Sequence, residues 1–169
     1  VHPVLLSLDH PLAAVNDVFN AIFVEGDAVG EVMFYGRGAG AMPTASAIVG
    51  DIMEAARNLQ HQDRGRVSCT CFYEKPLKPM GSVVTKYYLR LVVADRPGVL
   101  AAIAGVLGER QVSIASVIQK RTIGDLAELV LITHQVREQN LQDALKVLTG
   151  LAVVSEIAGM LRVEEGISR

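Results

Sequence analysis

Leu89-Arg90-Leu91-Val92-Val93-Ala94-Asp95-Arg96-Pro97-Gly98-Val99-Leu100 changes its periodicity half-way along. Leu89, Leu91 and Val93 alternate with Arg90 and Ala94, as in a half-buried strand. Asp95-Arg96-Pro97-Gly98 stops that strand, and Val99, Leu100, Ile103, Val106 and Leu107 then recur at helical spacing as far as Gly108. Beyond it, Val112 to Lys120 and Leu126 to His134 read as two strands around a turn at Gly124-Asp125. A helix follows from Glu138 to Leu148, with Leu141, Ala144, Leu145 and Leu148 on one face and Gly150 as its stop. Val153 to Val163 supplies a last strand. The order βαββαβ predicts an α+β, ferredoxin-like domain, with two helices covering one face of an antiparallel sheet. The other face needs a cover, which a second copy often provides.

Upstream, Val4 to Leu6 is a short strand and Asp9-His10-Pro11 reads as a helix start. Phe19 to Val24 and Val29 to Tyr35, joined through Glu25-Gly26-Asp27, predict a hairpin. Gly36-Arg37-Gly38-Ala39-Gly40 is a glycine loop, and Pro43-Thr44 opens a helix with Ala47, Ile48, Ile52 and Ala55 on one face. From Gln60 to Lys86 the chain turns polar and is interrupted by Pro76 and Pro79. A domain boundary is therefore expected here, with a short strand carrying Cys69 and Cys71 inside it. Three segments result: 1–60, a linker at 61–86, and 87–169.

Of the 169 residues, half are hydrophobic and a fifth charged, with no Trp, so the chain is globular with an aliphatic core. A net charge of -2, with both signs mixed throughout, offers no basic stripe for nucleic acid and no polybasic membrane anchor. No signal-peptide pattern is present, and no apolar run reaches the roughly 20 residues that span a bilayer, so a cytoplasmic location is expected. A start at Val1 rather than methionine is read as a fragment or a processed chain.

Little in the sequence announces chemistry. Cys69 and Cys71 lie two apart, poorly placed for a disulfide and without further zinc ligands, and are read as buried thiols. His2, His10, His61 and His134 are scattered, so no metal site is expected. Glu164 and Glu165 read as a solvated tail and Glu128 as outward-facing on its strand. No catalytic serine elbow or P-loop appears.

Two stretches carry more. Gly36-Arg37-Gly38-Ala39-Gly40-Ala41 fits G-x-G-x-x-G/A between a strand and a helix, but no parallel strand with an acidic end follows as a dinucleotide fold requires. The same glycines serve a tight strand-to-helix crossing, with Thr44 helping to satisfy the first helical amides. In Asp95-Arg96-Pro97-Gly98-Val99-Leu100, Asp95 is read as the cap, Pro97 as fixing the first turn and Gly98 as uncovering backbone donors. Those donors suit the carboxylate of a free amino acid; the pattern also works as plain helix capping.

Val1-His2-Pro3, His10-Pro11-Leu12-Ala13, Phe19-Asn20-Ala21-Ile22, Phe34-Tyr35-Gly36-Arg37-Gly38-Ala39-Gly40, Pro43-Thr44-Ala45-Ser46-Ala47 and Asp51 together resemble homoserine dehydrogenase. Tyr87-Tyr88-Leu89-Arg90-Leu91, Asp95 to Leu100, Ser113-Ile114 and Val117-Ile118-Gln119-Lys120 resemble the ACT domain attached to many bacterial members. The resemblance implies that 1–60 ends a catalytic domain and that 87–169 regulates it. It implies a parent enzyme that interconverts aspartate 4-semialdehyde and homoserine with NAD(P). The family's nucleotide-binding half, catalytic lysine and acidic substrate ligands lie upstream of the matching segment, and Lys75 and Lys78, in the linker, do not replace them. No catalytic residue is assigned, and this chain alone is expected to be inactive and to bind no cofactor. In the parent, Gly36, Gly38 and Gly40 are expected to approach the nicotinamide end of the cofactor.

For the ACT segment the resemblance implies L-threonine or a related amino acid as effector, and a homodimer. The expected effector residues are Asp95, Pro97, Gly98, Val99 and Leu100, with Ser113 and Ile114 reaching the loop of the partner copy. Two other readings remain: a stand-alone ACT binding module, and a purely structural dimerisation unit with an empty loop at Asp95.

Overall fold

The computed structural model describes residues 1–63 and 74–164. In chain order the elements are β1 (Val4–Leu6), β2 (Phe19–Gly26), β3 (Gly30–Arg37), α1 (Ala41–Gln60), β4 (Val84–Ala94), α2 (Val99–Glu109), β5 (Ile114–Ile123), β6 (Leu126–Thr133), the short β7 (Val136–Arg137), α3 (Glu138–Thr149) and β8 (Val154–Glu164). The chain divides into two compact units, Leu8–Pro76 and Val1–Ser7 with Leu77–Arg169.

In the second unit the sheet runs β1-β8-β4-β6-β5, with β4 central and antiparallel to both β8 and β6. The succession β4-α2-β5-β6-α3-β8 is the βαββαβ order expected from the sequence. Alternation decides which side is buried: Tyr87, Leu89, Leu91 and Val93 face the helices and are 0–1% exposed, whereas Tyr88, Arg90 and Val92 face away and are half-buried. Opposite them, α2 contributes Val99, Ile103 and Leu107, and α3 contributes Leu141, Ala144 and Leu148. Each fully buried aliphatic side chain stabilises the unit by about 1.5–3 kcal/mol, so this aliphatic layer holds the unit together without tryptophan. On the face without helices, Leu5, Tyr88, Arg90, Gly159 and Leu161 border an open hollow of about 490 Å³.

β1 is where the fold departs most from the sequence reading, which kept Val4 to Leu6 with the first segment. It pairs in parallel with β8, Val4 beside Arg162, Leu5 beside Val163 and Leu6 beside Glu164. Three apolar residues signal an extended strand, but nothing in so short a run specifies its partner.

In the unit Leu8–Pro76, β2 and β3 form the expected hairpin, in register from Phe19 beside Arg37 to Gly26 beside Gly30. Phe19 stacks on Tyr35 with ring centres 4.9 Å apart, and Arg37 lies over Phe19 at 5.5 Å. His10 caps a short 3-10 turn at Pro11–Ala14, its Nδ1 accepting the Leu12 N–H at 3.1 Å. The apolar face of α1 exists, but no residue of this helix is buried, and Ile48 and Ile52 are 53% and 61% exposed. Thr44 does not cap α1: the N-cap is Gly40, at φ 126°, with no side-chain hydrogen bond. The expected strand with Cys69 and Cys71 lies outside the described residues.

Candidate functional site

The C-terminal end of β4 delivers Asp95 to a cavity of about 220 Å³ in the second unit. Its apolar wall is formed by Val93, Val99, Leu100, Val117, Ala127 and Leu129, and its polar rim by Asp95, Arg96 and Gln119. Asp95 does not cap α2, as the sequence suggested. Its Oδ2 accepts the Thr122 hydroxyl at 2.9 Å and its Oδ1 accepts from Gln119 Nε2 at 3.4 Å, both on β5. The Asp95 N–H donates to Asp125 O at 2.8 Å, which ties the loop to the β5–β6 turn.

The N-cap of α2 is Gly98, left-handed at φ 87° and without a side-chain cap. The first bond into the helix runs from the Ala102 N–H to Gly98 O at 3.0 Å. Val99 N–H turns back to Arg96 O at 3.5 Å, whereas the Leu100 and Ala101 amides have no helical acceptor and point out of the N-terminus, where they favour negative charge. A Cβ built on Gly98 meets nothing within 4 Å, so the space above it is open. A carboxylate-accepting helix end, a fixed side-chain carboxylate and an apolar wall thus stand around one small cavity. That combination suits a free α-amino acid with a compact side chain.

Of the residues anticipated for an effector, Asp95, Val99 and Leu100 line this cavity. Pro97 and Gly98 form the turn that leads into α2. Ser113 and Ile114 are not brought to it within one chain. Ile114 pairs with Thr133 and Ala94 with Leu126, at opposite ends of β6, a span of about 23 Å at strand rise. Val117, Gln119 and Thr122 were missed. The signal available was alternation: Val117 and Gln119 lie on the helix-covered face of β5, paired with Leu131 and Leu129.

Around the glycine loop, Gly36 is the last residue but one of β3 and has open space, whereas Gly38 sits against Asn20. A Cβ at Gly38 would lie 2.0 Å from Asn20 Nδ2 and 2.5 Å from its Cγ, so Asn20 already fills the space a side chain would need. Gly40 takes a positive φ that side chains rarely adopt. The three glycines thus build a tight crossing from strand to helix, open at Gly36 and filled by Asn20 at Gly38.

A second polar cluster is buried at the start of α3. Glu138, 7% exposed, accepts hydrogen bonds from the fully buried Tyr87, from Gln142 Nε2 at 2.7 Å and from Arg162 Nη2 at 2.7 Å. Burial and the neighbouring Glu138 push the Tyr87 phenol up to about 12. Burial alone would raise Glu138, but the hydrogen bonds from Tyr87, Gln142 and Arg162 outweigh it and hold the carboxyl below its usual range. Every polar group here is satisfied, so the cluster joins β4, α3 and β8 without offering a reactive group. Among the described residues no group of three or more His, Cys, Asp or Glu is placed to hold a metal, and no helix is long and apolar enough to cross a membrane.

Residues 1–53 match the homoserine dehydrogenase family model, and residues 87–153 match the ACT domain model. Homoserine dehydrogenase of Mycobacterium bovis is 43% identical over 97% of this chain, and that of Corynebacterium glutamicum is 43% identical over the same share. This chain is homologous to the C-terminal part of homoserine dehydrogenase. It spans 38% of the length of the Mycobacterium bovis relative and 36% of the Corynebacterium glutamicum one. Among solved structures, the homoserine dehydrogenase of Thiobacillus denitrificans superposes with a TM-score of 0.87 at 36% identity, covering 97% of this chain and 38% of that one. The homoserine dehydrogenase match covers β1, the hairpin, the glycine loop and most of α1, and the ACT match covers β4 through α3. The cavity at Asp95 thus lies in the ACT segment of a homoserine dehydrogenase homologue.

Proposed function

We propose that this chain is the regulatory end of an NAD(P)-dependent homoserine dehydrogenase of the cytoplasm, with an amino-acid effector, L-threonine first among the candidates, bound at the Asp95 cavity. The parent enzyme interconverts aspartate 4-semialdehyde and homoserine. This chain contributes the glycine crossing at Gly36, Gly38 and Gly40, which a cofactor's nicotinamide end approaches with open space at Gly36 and the Asn20 side chain against Gly38. Assayed by itself with homoserine and NAD(P), it is expected to show no turnover.

The observation that carries the effector reading is the meeting of the α2 N-terminus, the Asp95 carboxylate and an apolar wall around 220 Å³. The effector's carboxylate goes to the helix amides, its ammonium to Asp95, and its side chain against Val99, Leu100 and Val117. Calorimetric titration of the chain with L-threonine tests it: saturable heat and a raised melting temperature are expected, and neither heat nor thermal shift with threonine or related amino acids would leave a purely structural module.

A homodimer completes the same site. β5 is a ten-residue edge strand whose Val117 and Ile118 are 40% and 56% exposed. Antiparallel pairing of two β5 edges sets the N-terminal end of one strand against the C-terminal end of the other. Ser113 and Ile114 of one copy then arrive at the partner's cavity, which removes the separation of about 23 Å inside one chain. Sedimentation over a wide concentration range, with and without threonine, should show a dimer that the effector strengthens; a monomer at every concentration removes the dimer.

A further inference from the structure

The chain passes from one compact unit to the other after Ser7 and returns before Leu77. Both passages are rooted in one sheet, since β1 and β4 are separated by a single strand, β8. By sequence β1 belongs to the segment matching homoserine dehydrogenase, but by hydrogen bonding it is the outermost strand of the ACT sheet.

β8 is held at the point where β1 docks. Arg162, beside Val4 on one side and Tyr87 on the other, donates to Glu138 through Nε at 3.2 Å and Nη2 at 2.7 Å. Glu138 also accepts from Tyr87, so one position of β8 is connected to β1 through the backbone and to α3 and β4 through side chains. β1 itself is short, with Val4 and Leu5 37% and 38% exposed, so its docking is weak enough to be reversible.

We propose that β1 is a coupling strand, whose docking on β8 ties the order of segment 8–76 to that of the ACT sheet. Docked, β1 anchors the first end of that segment beside a strand already clamped by Arg162 and Glu138. Undocked, β1 no longer fixes that end of the segment beside β8, and β8 exposes its edge. Each end therefore senses the other through a single strand with two positions. The coupling needs no effector and stands whether or not the Asp95 cavity binds threonine.

Hydrogen exchange on the full chain, without added ligand, tests it. A Val4→Pro, Leu5→Pro variant removes a donor toward β8 whichever residue faces it. Exchange should quicken about ten-fold in residues 160–164 and also in the hairpin at 19–37. In a Cys69→Ser, Cys71→Ser background, Leu5→Cys with Val163→Cys places two thiols at register partners; the oxidised form should slow both regions relative to the reduced form of the same protein. That comparison decides the matter even if the proline variant fails to fold. A change confined to 160–164 would make β1 only an edge cover, and no change in either region would mean that β1 is not docked in solution. Either result overturns the coupling.

Discussion

Arg162 and Glu138 form a largely buried ion pair, Nη2 to Oε2 at 2.7 Å with side chains 15% and 9% exposed, that joins β8 to the first residue of α3. Its worth lies in completeness: Tyr87 and Gln142 fill the remaining acceptor capacity of Glu138, so the charge is fully compensated.

Removing one partner should therefore cost more than a surface pair would. Glu138→Gln leaves Arg162 without its counter-charge and is expected to destabilise the unit by about 3 kcal/mol. Lys146→Ala, at an exposed pair with Asp143, should leave stability nearly unchanged. Urea unfolding of the two variants measures the contrast.

The same carboxyl predicts an acid limit. Glu138 is held below its usual range in the folded state, so its stabilisation is present above the unfolded value of about 4.3 and is lost as pH falls through the lower folded value. Melting temperature should drop as pH is lowered past about 4, and Glu138→Gln should flatten that drop.

Tyr87 sets the alkaline counterpart. Its phenol is raised to about 12, so its contribution is complete below the unfolded value of about 10 and disappears as pH climbs through the folded value. An ultraviolet titration should show one tyrosine ionising far later than ordinary phenols, and Tyr87→Phe should remove that late step.

Gly98 separates strain from binding. Its φ of 87° disfavours any side chain, but no atom lies within 4 Å of the place a methyl would occupy, so Gly98→Ala should cost about 1–2 kcal/mol through the backbone alone. Gly98→Val should abolish threonine binding in calorimetry while circular dichroism keeps the fold. Retained affinity would move the effector away from the α2 terminus.

Gly38 behaves oppositely, because its limit is contact. Gly38→Ala drives a methyl into Asn20 and should raise the protease sensitivity of residues 19–40, while a second change, Asn20→Ala, should restore resistance. If the double variant is as sensitive as the single one, the contact is not the cause.

Much of the second unit was legible because each of its faces is written as a period: two in β4, three to four in α2 and α3. The core named by that pattern, Leu89, Leu91, Val93, Ile103, Leu107, Leu141, Ala144 and Leu148, is buried as a layer. The site was half legible. Asp95, Val99 and Leu100 follow from the strand-to-helix junction, but Gln119 and Thr122 reach Asp95 only through sheet register, which no local pattern states. α1 shows the reverse case: its helical period was correct, yet period does not reveal whether a covering layer is present, and Ile52 stays 61% exposed.

The pairing of Val4 with Arg162 also dictates an order of assembly. On the ribosome β1 is made before every other strand of this sheet and its partner β8 after them, so it must wait, unpaired, while the rest of the sheet forms. Closing so long a loop is entropically costly and slow relative to the local β4-α2 and β6-α3 steps. Until it closes, β8 presents a free edge to any other nascent copy, and a neighbour's β1 fits that edge as well as its own. Exchange of this strand between chains is thus the characteristic folding error of this topology, favoured at high concentration and suppressed by dilution.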